Sequence, residues 1–200
     1  VRRNGMLLGM GAAAFVIERS SLSQSRGITP YAELLGTHLG NSAYHPTRLD
    51  VEHVSNSLDD FMSRMERNWG IDRHQIAKQT SFMSHEPATP PRGGSAAAEI
   101  QALRTAFGAS ASDIIITNTK GFTGHPMGTG IEDAVSIHGL ARGMFPPIAN
   151  FKQPDPELGD LRLSVGGPVD VQYVVRHAAG FGSQMVFTLV KKISNGLNRV

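Results

Sequence analysis

Two histidines and a lysine stand where apolar runs of this sequence pass into loops. Lys120 and His125 lie in the loop that follows the aliphatic run 113–116, and His85 ends the apolar run 82–84. Neutral imidazoles can donate hydrogen bonds to an oxyanion or enolate, and a nearby ammonium can orient a ring and fix its tautomer. These residue types therefore predict a site that stabilises developing negative charge.

Two further features have chemistry that suits such a site. Glu132 occupies the first turn of a predicted helix, one short loop after His125. Its carboxylate either interacts with the helix N-terminus or pairs with Lys120, and the sequence leaves both open. The Gly-Phe-Gly triplet at 180–182 can present backbone N–H groups to an anion, although most such triplets are ordinary turns.

Composition excludes several other kinds of site. The 200 residues contain no cysteine, so a disulfide, a thiolate metal site and a cysteine nucleophile are impossible within them. Two histidines without an obvious third ligand make a poor zinc site, so we expect no metal. A net charge of +2 without a basic block does not indicate nucleic acid, and no apolar run is long enough to span a membrane.

The elements that must position these residues alternate along the chain. Apolar stripes predict helices over Val51–Trp69 and Ile131–Arg142, and a third helix that Ser95 caps and that reaches Phe107. Short apolar runs predict strands over 31–36, 76–84, 113–118, 161–165, 171–175 and 184–191. This order is typical of a layered α/β domain, in which ligands bind at the carboxyl ends of strands, where His85 and His125 stand.

A glycine-rich apolar run follows Arg2 and Arg3. It superficially resembles a signal peptide, but glycines interrupt it and it lacks a convincing cleavage site. We interpret residues 1–18 as a buried strand. This predicts that the chain begins on a strand of a missing half of the domain, with its main body at 30–192 and a polar tail at 193–200.

Five short segments are informative when taken together. They are the glycine-rich stretch 4–12, the loop 84–90 around His85, the Thr-Lys-x-x-x-Gly-His loop 119–125, the proline-rich stretch 146–157 and the Gly-Phe-Gly-Ser-Gln turn 180–184. In this order and spacing they resemble motifs of the C-terminal half of the β-ketoacyl synthases, the condensing enzymes of fatty acid and polyketide synthases. The resemblance covers nearly the whole chain.

The resemblance implies a fold and a set of residue roles. The fold would be the C-terminal half of the layered thiolase-like fold, a mixed sheet with covering helices. His85 and His125 would promote malonyl decarboxylation and hold the enolate and the condensation oxyanion. Lys120 would order His125, with Glu132 as its partner.

The same resemblance assigns supporting residues at two loops. The backbone N–H of Phe181 would help to form an oxyanion hole, and the Phe181 ring would gate the acyl pocket. Gly180 and Gly182 flank it, and Thr89 lies in the matching position of the loop after His85. No metal belongs to this site.

Substrates and partners follow from the resemblance as expectations. Acyl chains would arrive on the phosphopantetheine arm of an acyl carrier protein, with no bound cofactor. The nucleophilic cysteine would lie in the N-terminal half, and the complete enzyme would be a cytoplasmic homodimer. Glu86, Pro87 and Met10 depart from the family motifs, which is typical of a divergent ketosynthase, such as one from a multidomain synthase.

Two other hypotheses remain on the sequence alone. A non-catalytic subunit related to chain-length factors would shape the acyl pocket of a partner. The presence of His85, Lys120 and His125 together disfavours that role. A thiolase-type enzyme would condense without decarboxylation, but thiolases use a second cysteine near the C-terminus and these residues contain none.

Overall fold

A five-stranded sheet forms the centre of the structure, a computed structural model that describes residues 5–87, 94–126 and 130–193. The strands are β1 (Ala32–Asn41), β2 (Thr80–Met83), β3 (Ile115–Thr117), β4 (Met144–Pro147), β5 (Val165–Pro168), β6 (Tyr173–Gly180) and β7 (Gln184–Lys192). The main sheet has the order β1-β7-β6-β2-β3, and β4 and β5 form a separate ribbon. Strand β2 is parallel to β3 and β6, whereas β7 is antiparallel to β6 and β1, so the sheet is mixed.

Helices cover both faces of this sheet. They are α1 (Ser20–Ser25), α2 (Val51–Trp69), α3 (Arg73–Ile76), α4 (Ser95–Phe107), α5 (Lys120–Thr123) and α6 (Ile131–Arg142), with 3-10 turns at Ala77–Gln79, Gly108–Asp113 and Pro156–Leu158. Phe82 faces the core beneath α2 and α4, and its neighbour Met83 faces the core beneath α6. This alternation confirms the predicted layered α/β arrangement.

Helices α2 and α6 have the predicted bounds, whereas the predicted cap of α4 is wrong, because Gly94 takes the N-cap position and Ser95 is the first helical residue. The Asp50 carboxylate accepts a hydrogen bond from the His53 N–H and caps α2, and Gly70 ends that helix at φ 63°. Gly143, at φ 64°, ends α6 in the same way. Within the described residues, no helix is both long and apolar enough to cross a bilayer.

Several predicted strands have different bounds in the structure. The prediction of a strand from residue 76 is wrong for its first four residues, because the Asp72 carboxylate caps a short helix there by accepting from the N–H groups of His74 and Gln75. The strand predicted at 161–165 is reduced to an isolated bridge between Leu163 and Ile116, and β5 follows it. Residues 20–25, for which no helix or strand was predicted, form α1.

The described part of residues 1–18, predicted as a buried strand, is not a strand in this structure, and its burial in the complete domain stays a prediction. From residue 5 onward the segment forms one isolated bridge, between Leu8 and His125, and no strand. Leu8 is 72% exposed and Met10 is 97% exposed. The physical reason is that a buried strand needs neighbouring strands and covering layers, and the described residues supply a single bridging residue on one side. Its assignment to a missing half stays a prediction.

The same segment is nevertheless attached to the loop that carries His125. The Gly9 N–H donates to the His125 carbonyl oxygen at 3.0 Å, and the His125 N–H donates to the Leu7 carbonyl oxygen at 2.7 Å. A Cβ atom at Gly9 would lie 2.0 Å from the Thr123 carbonyl oxygen. Only glycine therefore permits this approach, which explains one of the glycines in the apolar run.

Substitution Gly9→Ala tests this attachment in the full-length protein. We expect a loss of about 1–3 kcal/mol in the free energy of unfolding, because the new methyl group must displace backbone. Amide hydrogen exchange at His125 should become about tenfold faster, because the hydrogen bond from its N–H to the Leu7 carbonyl oxygen is weakened. Gly27→Ala is the matched control: alanine at φ 63° costs stability through local strain, but nothing lies within 4 Å of that position, so exchange at His125 should stay unchanged. Unchanged exchange at His125 in Gly9→Ala would contradict the attachment.

Candidate active site

The two loop histidines meet at one edge of the sheet. Strands β2 and β3 are parallel and pair Met83 with Thr117, so both chains leave the sheet side by side. The rings of His85 and His125 lie edge to face, with centroids 5.3 Å apart and an interplanar angle of 80°. The predicted convergence of the two imidazoles is therefore present.

Asn118 holds the two loops together. Its Nδ2 donates to the carbonyl oxygens of Ser84 at 3.3 Å and Glu86 at 2.8 Å, and its Oδ1 accepts from the Lys120 N–H at 2.9 Å. One amide side chain thus satisfies backbone groups on both sides of the site. The sequence analysis did not single out Asn118, although a polar residue directly after a buried strand is a usable signal.

Glu86 connects the His85 loop to helix α4. Its N–H donates to the Ser84 hydroxyl oxygen at 3.0 Å, and its Oε2 accepts from the Ala96 N–H at 2.6 Å in the first turn of α4. A carboxylate at a helix N-terminus is favourable because the N–H groups there lack partners within the helix. The departure from the family motif at this position therefore has a structural role.

Lys120 is the buried cation of the site. Its Nζ donates to the His85 carbonyl oxygen at 2.8 Å and lies 2.9 Å from Glu132 Oε1. The two side chains are only 5% and 4% exposed. Of the two interpretations left open for Glu132, the ion pair is present, and Glu132 also lies in the first turn of α6. The Lys120 ammonium holds the backbone of His85 and acts on His125 through its charge.

Both site histidines are uncharged near neutral pH. Burial lowers the pKa of His85 far below its usual range, and the Lys120 charge lowers it further. Burial and Lys120 also lower the pKa of His125. Although burial opposes ionisation of Glu132, Lys120 and Arg176 hold the pKa of its carboxyl below the usual value. Two neutral imidazoles thus stand beside a fixed ion pair, an arrangement suited to receiving new negative charge.

Sequence reasoning missed a buried carboxylate on the opposite side of His85. Glu99, on α4, is 2% exposed. Its Oε1 accepts from the His85 N–H at 2.6 Å and lies 2.7 Å from His177 Nδ1, while its Oε2 accepts from the Ser84 hydroxyl at 2.5 Å. The available signal was its position on the helix face that also carries Leu103, because an acidic residue on an apolar face needs buried partners.

Two basic residues of β6 were also missed as part of the site. No role was predicted for Arg176 or His177. Arg176 Nε lies 3.0 Å from Asp133 Oδ1, and its Nη2 lies 3.5 Å from Glu132 Oε2. Burial raises the pKa of Asp133, and the Arg176 charge opposes that rise. Two consecutive basic residues inside an otherwise apolar strand were the signal for this contact.

The structure places the predicted glycine-rich turn between β6 and β7. Gly180 ends β6, and Gly182 turns the chain at φ 83°. The Phe181 side chain is 59% exposed. Because β6 runs parallel to β2 and extends beyond it, the turn lies at the same sheet edge as His85. Its oxyanion and gating roles stay predictions, and Thr89 lies outside the described residues.

No metal centre competes with this interpretation where the chain is described. Within residues 5–87, 94–126 and 130–193, no three or more His, Cys, Asp or Glu side chains are grouped to hold a metal ion. The chemistry that the geometry supports is hydrogen bonding and charge stabilisation by the side chains themselves.

Comparison with known proteins shows which enzymes this chain is similar to. No family model matches the chain. It is 30% identical over 185 residues to 3-oxoacyl-[acyl-carrier-protein] synthase 2 of Vibrio cholerae, a match that covers 90% of this chain and 43% of the relative. It is 28% identical over 183 residues to the Coxiella burnetii protein of the same name, covering 90% and 42%. This chain is a β-ketoacyl synthase homologue. It corresponds to the C-terminal half and spans less than half the length of these relatives.

Solved ketosynthase structures confirm the thiolase-like fold. The ishigamide ketosynthase/chain length factor aligns with a TM-score of 0.81 at 22% identity, over 96% of this chain and 45% of that one. A type II polyketide ketosynthase in complex with its acyl-carrier protein aligns with a TM-score of 0.73 at 22% identity, over 88% and 42%. The predicted origin in a multidomain synthase stays a prediction.

The lowered histidine pKa values predict a pH-dependent stability for this ketosynthase homologue. Below about pH 6.5 the histidines of the unfolded chain take up protons that the buried His85 and the partly buried His125 of the folded protein do not, so stability falls as pH falls. In the full-length protein, His85→Gln should flatten this decline, as followed by Tm between about pH 5 and pH 8. An unchanged slope of Tm against pH in the variant would show that His85 does not carry this linkage.

Proposed function

We propose that the complete protein is a β-ketoacyl synthase that condenses an acyl chain with a malonyl-type extender by decarboxylative Claisen condensation. The observation that carries the proposal is the edge-to-face contact of two neutral imidazoles, His85 and His125, beside the buried Lys120–Glu132 ion pair. The similarity to 3-oxoacyl-[acyl-carrier-protein] synthase 2 over 90% of the chain supports it.

The reaction requires stabilisation of negative charge at two stages. When the malonyl C–C bond breaks, CO2 leaves and its bonding electrons move onto the thioester carbonyl as an enolate. The enolate carbon then attacks the acyl carbonyl carbon held on a cysteine sulfur, and a tetrahedral oxyanion forms. Collapse of that oxyanion releases the cysteine thiolate and leaves the new C–C bond in a β-ketoacyl thioester.

His85 and His125 supply hydrogen-bond donors for both anions. Because burial and Lys120 keep the rings uncharged, each imidazole offers one N–H without carrying a proton that it would lose to the enolate. The fixed Lys120 ammonium contributes a favourable field while its own charge is balanced by Glu132. We assign the Phe181 backbone N–H a supporting part in the oxyanion hole.

The remaining components lie outside these residues. The nucleophilic cysteine belongs to the N-terminal half of the complete domain, because this chain contains none. Both substrates arrive on the phosphopantetheine arm of an acyl carrier protein, and the enzyme itself holds no cofactor. A ketosynthase of the same fold is known in complex with its acyl-carrier protein. The complete enzyme acts as a homodimer in the cytoplasm.

Histidine replacement in the complete protein tests the reaction. We expect His85→Ala and His125→Ala each to lower the condensation rate by at least about a hundredfold, because each removes a donor to the developing anion. Acylation of the cysteine should stay near the wild-type rate, since that step does not form the enolate. Acyl transfer and β-ketoacyl product are measured separately, with radiolabelled acyl and malonyl carrier protein.

His138→Ala is the control for histidine loss. His138 is exposed on α6 and contacts the ring of Tyr31, away from the two site histidines. Near-normal condensation in both His85→Ala and His125→Ala would overturn the proposal. Absence of condensation in the wild type would favour the non-catalytic subunit instead.

A further inference from the structure

The peptide backbone of His85 is held at both of its polar groups by buried side chains. Its N–H donates to Glu99 Oε1 at 2.6 Å, and its carbonyl oxygen accepts from Lys120 Nζ at 2.8 Å. Glu99 comes from α4 and Lys120 from α5, so the two contacts approach from different elements. A residue fixed in this way has little freedom to shift its side chain.

Each of these contacts leads to one of two consecutive residues of β6. His177 Nδ1 lies 2.7 Å from Glu99 Oε1, the same oxygen that accepts from His85. Arg176 Nη2 lies 3.5 Å from Glu132 Oε2, whose other oxygen pairs with Lys120. Glu99 binds the His85 peptide directly, and Glu132 acts on it through Lys120. Residues of β6 therefore contact both of these carboxylates.

The sheet geometry explains how one dipeptide reaches both sides of His85. Strand β6 is parallel to β2 and pairs Arg176 with Met83, two residues before His85. Successive side chains of a strand point to opposite faces. Arg176 therefore faces Glu132 and Asp133 on α6, while His177 faces Glu99 on α4.

His177 also contacts the imidazole of His85. The two rings lie edge to face with centroids 5.9 Å apart, and the other side of His177 stacks on Phe187 at 4.8 Å. His177 is 1% exposed, and among the described residues its Nε2 has no hydrogen-bond partner. Its one hydrogen bond is thus to Glu99, and its ring forms a fixed wall beside His85.

Burial makes these pairs costly unless they are well matched. Arg176, Glu99 and Glu132 are 7%, 2% and 3% exposed, and charges removed from water to this extent need partners. Buried ion pairs add little net stability compared with apolar packing, yet they restrict the geometry of the groups that they join. Their position around a single peptide unit points to placement of His85 as their role.

We propose that Arg176 and His177 are positioning residues of the condensing site, which together fix His85 by holding Glu132 and Glu99 on the two faces of the sheet. This inference rests on the proposed function. It adds to that function two residues that touch neither substrate nor each other's partners.

The test uses two single substitutions in the complete protein, one at each residue. His177→Leu removes the hydrogen bond to Glu99, and Arg176→Met removes the second cation from Glu132. We expect kcat for condensation to fall about tenfold in each, because a small displacement of His85 weakens its contact with the developing anion. The KM for the carrier-bound substrate and the rate of cysteine acylation should stay within about twofold of the wild type, since His85 acts on the enolate.

Conservative variants separate positioning from general packing. His177→Asn keeps an N–H donor at the place of Nδ1 and should recover most of kcat, whereas His177→Gln presents its amide at the place of Nε2 and should not. Arg176→Lys keeps a positive charge near Glu132, so its kcat for condensation should be higher than that of Arg176→Met. Equal activity of His177→Asn and His177→Gln would overturn the role of His177, even if His177→Leu fails to fold.

Val175→Ala is the matched control on the same strand. Val175 is fully buried in the core beneath α2 and α4, and it belongs to neither pair. This variant should lower the Tm of the protein while kcat stays at the wild-type value. A fall in kcat equal to that of His177→Leu would show that any weakening of β6 suffices, and would overturn the inference.

Amide hydrogen exchange at His85 gives a readout that does not depend on the reaction. Exchange should become about tenfold faster in His177→Leu and stay unchanged in Val175→Ala, because only the first frees Glu99. Wild-type exchange and wild-type kcat in both His177→Leu and Arg176→Met, with His85→Ala inactive, would overturn this inference alone. If His85→Ala condenses normally, the proposed function fails, and the exchange data still decide whether β6 holds His85.

Discussion

The buried ammonium of Lys120 is the interaction on which the rest of the site depends. It lies 2.8 Å from the His85 carbonyl oxygen and 2.9 Å from Glu132, with almost no access to water. A cation in such a place is tolerated only when an anion and a hydrogen-bond acceptor compensate for its lost hydration. Helix α6 must therefore begin where it places Glu132 beside the Lys120 ammonium. The loop after β2 must likewise direct the His85 carbonyl oxygen toward that ammonium. The Lys120 charge therefore links the two loops, because it binds the backbone of His85 and lowers the pKa of both His85 and His125.

This arrangement also determines the protonation of the imidazoles. Burial disfavours the imidazolium form, and the adjacent Lys120 charge disfavours it further, so the pKa values of both rings are lowered. A protonated ring would carry a second positive charge into the site and would transfer its proton to an enolate. A neutral ring donates a hydrogen bond while the anion keeps its electrons. Burial and the Lys120 charge thus favour the neutral form that the proposed reaction needs, although Glu132 opposes this effect at His125.

The sequence was sufficient to predict much of the fold and the central residues of the candidate site. Helix bounds were predictable because Asp50, Gly70 and Gly143 act locally, within one turn of the residues that they end or begin. The positions of His85 and His125 after buried runs were predictable from the rule that parallel strands end together. The described part of residues 1–18 is not the strand that its apolar run predicts, because a strand depends on neighbouring strands that an apolar run does not specify. Glu99, Arg176 and His177 were missed because their partners lie far away in sequence.

By itself, the sequence determined which residues carry imidazole, ammonium and carboxylate groups, that these 200 residues contain no thiol, and where the three long helices lie. These are properties of residue type and local periodicity, so they do not depend on distant contacts. Only the tertiary structure decided that Lys120 binds the backbone of His85, that Glu132 pairs with Lys120 and also meets Arg176, and that His177 shares Glu99 with His85. Each of these contacts joins residues from different elements, and their geometry follows from sheet register and helix packing, which no single segment encodes.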